Sequence, residues 1–163
     1  MSNTIRVGMA QLAVAKYPDN LETQALGSCV GVALYDPYIR VGGILHAMLP
    51  AMSYATAKSR GNTAKFVDTA IDELLGKMVE HGASKEHIKA KIAGGANMFP
   101  DISRGKEGHI GMRNVDAAKA RLLKLGIKVI AEETGGSFGR TIILDSATGK
   151  LRVRTLTYGE KEI

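Results

Sequence analysis

One cysteine and one histidine in this sequence are placed to form a catalytic pair. Cys29 is the only cysteine of the chain, and it follows the small residues Gly27 and Ser28 at the start of an apolar run. His46 lies within the next apolar run. A thiol has a reference pKa of about 8.5, and a neighbouring imidazole can take its proton and leave an ion pair. Such a pair would supply a nucleophile and a general base.

A short turn between the two apolar runs should bring the pair together. Asp36-Pro37 is a turn signal because the aspartate side chain bonds the backbone and proline fixes φ. Two strands joined by so short a turn are expected to pair as a hairpin. Pairing across Pro37-Tyr38 sets residue i opposite about residue 75 − i, which places Cys29 opposite His46 to within a residue or two.

The histidine of such a pair needs a third group that fixes its ring and its tautomer. Thr23 lies six positions before Cys29, so a continuous strand would place both side chains on one side. Its hydroxyl can accept the second ring N–H of His46 without adding a negative charge. Taken alone, Thr23 is more simply an ordinary strand residue, and a buried free cysteine is more often a small core residue than a nucleophile.

Strand patterns dominate both ends of the chain. Residues 21–24 lead into the cysteine strand. The further strands are predicted at 5–15, in the hairpin 25–49, and at 88–93, 127–132, 140–145 and 151–156.

Two helices are predicted between these strands. Apolar residues recur with helical spacing from residue 62 or 63 onward, and Gly82 is a natural stop. Asn114 is predicted to cap a second helix, 115–125, which ends at Gly126. The alternation of strands and helices indicates an α/β layered domain with a mixed sheet.

The composition is typical of one soluble globular domain, residues 1–163. Hydrophobic residues make up 45% of the chain and charged residues 23%. A single cysteine cannot form an internal disulfide, which is typical of a reducing cytoplasm. The longest stretch without a charged residue, 41–57, is shorter than the roughly 20 residues that a membrane-spanning helix needs. We therefore expect a cytoplasmic protein without membrane insertion.

The net charge of +6 does not by itself indicate a nucleic-acid partner. The basic residues are spread along the chain, and aromatic residues are only 5%. A solvated basic surface, or an acidic protein partner, fits this pattern better. Cysteine and histidine spacing matches no metal site, and the glycine-rich segments match no phosphate-binding pattern, so we expect no metal and no cofactor.

Short motifs along nearly the whole chain fall in a recognisable order. They are Thr23, Leu26-Gly27-Ser28-Cys29-Val30, His46, Gly94-Gly95-Ala96-Asn97-Met98-Phe99, Ile110-Gly111-Met112-Arg113-Asn114, Gly135-Gly136, Gly139-Arg140 and Thr148-Gly149-Lys150. In kind and order they resemble the CheD family, the chemoreceptor glutamine deamidases of bacterial and archaeal chemotaxis. The ordered set is specific, whereas one such tetrapeptide would be weak.

The resemblance implies roles for three residues: Cys29 as nucleophile, His46 as general base and Thr23 as the residue that orients the histidine. It also implies a three-layer α/β sandwich with a mixed β-sheet core, like that of the cytotoxic-necrotizing-factor type of toxin deamidase. The implied substrate is a glutamine on the cytoplasmic helical hairpin of a methyl-accepting chemotaxis receptor, and the product is glutamate. In some relatives a CheC-type phosphatase binds the same surface.

A second function class stays open beside the enzyme. The chain could act as a regulatory binding protein that docks on chemoreceptors or on a CheC-type phosphatase. Met98 and Phe99 are the residues predicted to contact such a partner, although both could instead plug the core. Gly27 and Ser28, beside Cys29, are predicted to line the oxyanion or substrate cleft.

Overall fold

The computed structural model describes residues 1–99 and 108–163. Its strands are β1 (Thr4–Val7), β2 (Gln11–Lys16), β3 (Asn20–Leu26), β4 (Val30–Asp36), β5 (Val41–Ala47), β6 (Lys89–Gly94), β7 (Lys128–Thr134), β8 (Arg140–Leu144), β9 (Leu151–Thr155) and β10 (Gly159–Glu162). Its α-helices are α1 (Val67–Glu80) and α2 (Ile110–Leu125).

These strands form two five-stranded sheets. The first sheet has the order β1-β3-β8-β9-β10, and the second has the order β2-β5-β4-β6-β7. Each sheet is mixed, because β1 pairs with β3 and β6 pairs with β7 in parallel while the other pairs are antiparallel. Both helices pack on the second sheet, which gives the layers sheet, sheet and helices. The predicted α/β three-layer sandwich with a mixed-sheet core is confirmed.

The second sheet separates two apolar cores. On β4, Val30, Val32 and Leu34 belong to the core between this sheet and the helices. Ala33 belongs to the core between the two sheets, and so does Cys29, which directly precedes this strand. This alternation follows from the two-residue period of a strand. The inner face of the second sheet therefore carries the cysteine.

The predicted strand 5–15 is wrong as a single element. The chain turns between Gly8 and Ala10, and Ala10 has a φ of 58°. As a result β1 joins the first sheet and β2 joins the second. Alternation of apolar residues fits either sheet, so it cannot reveal that the chain changes layer.

The predicted start of the second helix is also wrong. α2 begins at Ile110, and its cap is His109, whose Nδ1 accepts a hydrogen bond from Met112 N at 3.1 Å. Asn114 lies inside the helix and is fully buried. Its amide bonds the backbone of other elements instead of its own helix, so tertiary contacts override the usual capping preference. The predicted end at Gly126 is confirmed, with a φ of 75°.

Candidate active site

Cys29 and His46 lie on the same face of the second sheet. The predicted hairpin is confirmed, and in it Val30 pairs with Ala47 and Gly31 pairs with His46. The predicted register was shifted by two residues, because the turn closes on the pair Asp36–Val41. Cys29 precedes β4 by one residue, so it lies diagonal to His46 instead of opposite. Side chains in this diagonal relation on one face remain within reach of each other.

Thr23 reaches His46 from the other sheet. The prediction of one strand holding Thr23 and Cys29 is wrong, because residues 27–29 form a bend where the chain passes from β3 to β4. Ala25, with a φ of 59°, and a register shift in the β3–β8 pairing precede the bend. The contact that spacing along one strand predicted is therefore made across the space between two sheets.

The hydrogen bonds of Thr23 define the tautomer of His46. The Thr23 hydroxyl oxygen lies 2.6 Å from the carbonyl oxygen of Val7 and 2.7 Å from Nδ1 of His46. A carbonyl only accepts, so the single hydroxyl proton goes to Val7 and the hydroxyl accepts the Nδ1–H. The neutral ring then has a bare lone pair on Nε2. His46 Nε2 is buried and has no hydrogen-bond partner among the described residues.

Burial favours the neutral forms of the Cys29 thiol and the His46 imidazole. His46 is 1% exposed and Cys29 is 8% exposed. Burial lowers the pKa of His46 from 6.5 to about 4. Burial also raises the pKa of the Cys29 thiol, and a hydrogen bond from its own backbone N–H opposes this less strongly. Both directions disfavour the ion pair expected from the sequence, so the site holds a neutral thiol and a neutral imidazole on one face of the sheet.

The backbone of the 27–29 bend is held by three hydrogen bonds. Its carbonyl oxygens, in chain order, accept from Ala96 N at 2.9 Å, Asn114 Nδ2 at 3.0 Å and Gly95 N at 2.9 Å. Gly27 and Ser28 are both half-buried in this bend. In a trans peptide the N–H points opposite to the C=O. The N–H groups that follow these carbonyls therefore point away from the loop and the helix that hold them.

One glycine allows the loop to approach this bend, and a second allows the helix to approach the loop. Gly94 has a φ of 100°, and a Cβ placed on it would lie 2.5 Å from the carbonyl oxygen of Cys29. A Cβ placed on Gly111 in α2 would overlap the carbonyl oxygen of Ala96. Only residues without a side chain permit such contacts. The glycine-rich motif at 94–97 thus packs against the cysteine bend and donates two hydrogen bonds to its carbonyl oxygens.

Met98 and Phe99 lie beside the bend at the surface. Met98 is 41% exposed and Phe99 is 68% exposed, so Phe99 does not plug the core. A cavity of about 200 Å³ adjoins them. Its lining residues are Ser28, Ala96, Asn97, Met98, Phe99, His109 and Ile110. The cavity connects the residue before Cys29 with an exposed apolar rim.

Two negative observations concern the described residues. Within 1–99 and 108–163, no three His, Cys, Asp or Glu residues lie close enough together to hold a metal ion. No helix in the same two ranges is long and apolar enough to cross a membrane.

Asn114 is the site residue whose role sequence reasoning missed. A signal for it existed: Asn114 precedes Ala118 by four positions and Leu122 by eight, so it lies on the apolar stripe of α2. A polar residue on such a stripe is buried and needs a partner. A helix cap would bond its own helix, so the predicted capping role of Asn114 concealed its need for a buried partner.

Comparison with known proteins places the chain in a family. Residues 48–155 match the family model described as CheD chemotactic sensory transduction. A probable chemoreceptor glutamine deamidase CheD of Pyrococcus horikoshii is 49% identical over 156 residues, 96% of this chain and 94% of the relative. Similar proteins from Desulfitobacterium hafniense and Halalkalibacterium halodurans are each 47% identical over 163 residues, 100% of both chains.

The full-length matches include the region of Thr23, Cys29 and His46, which lies outside the family-model match. A crystal structure of the Bacillus licheniformis hypothetical protein YfiH is 18% identical, covers 71% of this chain and 46% of its own, and has a TM-score of 0.41. That likeness is too low to support an argument, so the expected similarity to toxin deamidases stays a prediction. The family model and the relatives together show that this chain belongs to the CheD family.

Proposed function

We propose that this chain is a cysteine-dependent protein-glutamine deamidase that acts on chemotaxis receptors. Full-length relatives carry the name chemoreceptor glutamine deamidase. The observation that supports the chemistry is the one-sided hydrogen bonding of His46. Its Nδ1 is held by Thr23, while its buried Nε2 has no partner among the described residues. An imidazole held in this way accepts a proton only at Nε2.

Cys29 is the nucleophile of this reaction. As Sγ forms a bond to the carboxamide carbon of glutamine, the thiol proton moves to Nε2 of His46. His46 then gives that proton to the departing nitrogen, the C–N bond breaks and ammonia leaves. A thioester between Cys29 and the glutamyl side chain remains. Because both groups start neutral, proton transfer accompanies attack instead of preceding it.

Water completes the reaction. His46 accepts a proton from the water that attacks the thioester carbon, and returns it to Sγ as the C–S bond breaks. One water is consumed, one ammonia is released and glutamine becomes glutamate. Thr23 keeps its bond to Nδ1–H throughout. A neutral hydroxyl does not trap the proton on the imidazolium as a carboxylate would, so His46 can release it in each half-reaction.

The oxyanion is stabilised by backbone N–H groups at the bend. The carbonyls of Gly27 and Ser28 are bonded to the loop and to α2, so the N–H groups of Ser28 and Cys29 point the other way. Donors held in this fixed direction stabilise charge that develops on the carboxamide oxygen. Gly27 adds no side chain that would obstruct the substrate.

The apolar rim at Met98 and Phe99 is the surface on which the receptor helix docks. A glutamine side chain is long enough to reach a thiol that is only slightly exposed. The net charge of +6 suits an acidic partner, since opposite potentials speed association. The substrate is then the cytoplasmic helical hairpin of a methyl-accepting chemotaxis receptor, and the protein works in the cytoplasm. A CheC-type phosphatase that binds the same rim would compete with the receptor.

One alternative function has support from the same rim. The exposure of Met98 and Phe99 also suits a regulatory protein that acts by docking alone. In that case Cys29 would be dispensable, whereas the deamidase needs its sulfur.

Mass spectrometry of a receptor cytoplasmic fragment separates the two. Incubation with the intact protein should add about one mass unit per converted glutamine, and incubation with Cys29→Ala should add none. The variant should retain its melting temperature and its binding to the fragment. The absence of any mass gain across several receptors would contradict the deamidase. Retained signalling by Cys29→Ala, together with capture of a CheC-type phosphatase, would establish the docking function.

A further inference from the structure

One buried amide connects the two halves of the catalytic pair. Asn114 lies in α2, in the helical layer, and is 0% exposed. Its Nδ2 donates one hydrogen bond to the carbonyl oxygen of Ser28 and another to that of Met48, both at 3.0 Å. Ser28 directly precedes Cys29, and Met48 follows His46 by two residues. A single side chain therefore fixes the bend of the nucleophile relative to the strand of the base.

The same amide sets the direction of the Cys29 N–H. Its bond to the Ser28 carbonyl orients the peptide that Ser28 and Cys29 share, and the N–H of that peptide points away from α2. This N–H belongs to Cys29 itself and directly precedes the Cα that carries the thiol side chain. It therefore lies at the reacting centre, where the oxyanion will form.

Asn114 also lowers the stability of the fold compared with an apolar residue at the same position. Its Oδ1 is buried without a hydrogen-bond partner among the described residues. An unpaired buried acceptor is unfavourable for folding. The buried neighbours on the same stripe of α2, Val115, Ala118 and Leu122, have apolar side chains. The position is explained by its two donated bonds and not by core packing.

We propose that Asn114 is a positioning residue for the reaction: it fixes Cys29 and its N–H relative to His46 from a third layer of the fold. The reaction that it serves is the proposed deamidation, so the proposal rests on that function. Its geometric part concerns only Cys29 and can be measured without a receptor.

The test uses Asn114→Leu, which has a similar volume and donates no hydrogen bond. We expect kcat for receptor deamidation to fall about 10- to 100-fold, because small misplacements of reacting groups have effects of that size. KM should change by less than about twofold, because the docking rim is untouched. Alkylation of Cys29 by iodoacetamide, followed by mass spectrometry, should shift its pH profile to higher pH, because the N–H that favours the thiolate is no longer held. The single cysteine makes this readout unambiguous.

Leu122→Ala is the matched control, since Leu122 is fully buried in the same helix and packs in the core between the second sheet and the helices. It should lower the melting temperature without changing kcat of the folded protein or the alkylation profile. An unchanged kcat and alkylation profile in folded Asn114→Leu would overturn the proposal. So would a Leu122→Ala variant that shows the same changes as Asn114→Leu.

Asn114→Ser covers the case in which the leucine variant does not fold. Its hydroxyl can donate one bond and the shorter side chain leaves room for water, so an intermediate loss of kcat is expected. A serine variant with normal kcat and a normal alkylation profile would overturn the proposal. If the intact protein modifies no receptor but the alkylation profile still shifts in the variants, the proposed function fails while the positioning role stands.

Discussion

The two faces of the second sheet differ in what they bury. The outer face, toward the helices, buries apolar side chains such as Val32 and Leu45 against Leu74 and Leu122. The inner face is apolar over most of its length, but near one end it holds His46. A ring nitrogen there has no hydrogen-bond partner among the described residues. On β4, the buried carboxylate of Asp36 accepts hydrogen bonds from Tyr38 N and Ser84 N, so it is paired, whereas Nε2 of His46 on β5 is not.

On β4 and β5 this difference separates the side chains that stabilise the fold from those proposed to react. A buried unpaired nitrogen and a desolvated thiol both reduce stability compared with apolar residues in the same place. The same features give His46, the proposed base, a free lone pair and give Cys29, the proposed nucleophile, a dry environment. The outer core and the helices supply the stability that offsets this local cost. Substitutions on the two faces should therefore affect different measurements.

The largest expected effect is a loss of stability from the outer face. Leu74 is fully buried in α1 and lies against Gly43 of β5. Leu74→Ala should lower the free energy of unfolding by about 2–5 kcal/mol, through lost apolar contacts and the cavity that remains. Chemical denaturation measures this change. Deamidation by the folded fraction should be unchanged, because Leu74 lies on the face opposite His46.

The activity of Leu74→Ala should be measured at temperatures where the variant is fully folded. A loss of activity under those conditions would contradict the separation between the two faces. Leu123→Ala provides the matched exposed control, since Leu123 is 81% exposed in α2. It should change neither the stability nor the activity, because little apolar surface is lost.

The second prediction sharpens the comparison through pH. The folded-state pKa of His46, about 4, lies below its ordinary value of 6.5. Between these values the unfolded chain binds a proton that the folded chain does not, so the free energy of unfolding rises with pH. The contribution is fully present above the ordinary pKa and is lost as pH falls toward the folded-state value. A shift of this size corresponds to about 3 kcal/mol.

Denaturation of the intact protein and of His46→Gln at several pH values isolates this contribution from that of the carboxylates. The variant should lack the His46 part of the slope, and the exposed His81→Gln should retain it. Equal slopes for the intact protein and His46→Gln would mean that the inner face does not hold a neutral imidazole. The activity of the intact protein should likewise decline in acid only as pH approaches 4.

The hairpin and the two helices could be predicted from local signals. Asp36-Pro37 indicated the turn, and the 3.6-residue period indicated where α1 lies. The register could not be predicted to the residue, because the turn signal does not specify which pair closes the turn. The strand β10 was missed, since Gly159–Glu162 is exposed and carries no apolar alternation.

The assembly of the candidate site was harder to predict than its members. Cys29 and His46 were selected by residue type and by the hairpin, and both are on the expected sheet. Alternation along a strand shows which residues share a face, but it does not show which sheet the strand joins. The sequence therefore does not reveal the bend after β3, or that Thr23 contacts His46 from the other sheet. Asn114 contacts residues 66 and 86 positions away, which no local pattern reports.

The smallest predicted effect concerns the hydroxyl of Thr23, which is tested by two variants, one without the hydroxyl and one with it. Thr23→Val keeps the shape of the side chain but removes the oxygen that accepts Nδ1–H of His46. Without that acceptor the ring proton is free to occupy either nitrogen, so part of the population has no lone pair at Nε2. We expect kcat to fall by up to about 100-fold, the lower end of what a general base contributes, because the base itself remains and only its orientation and tautomer are lost. Thr23→Ser keeps the oxygen and loses only a methyl group, so its kcat should stay within about threefold of the intact protein.

Steady-state deamidation of a receptor fragment by the three proteins measures the difference. If serine and valine reduced kcat equally, the contribution of Thr23 would be packing, and the inner face would differ from the outer one only in Cys29 and His46.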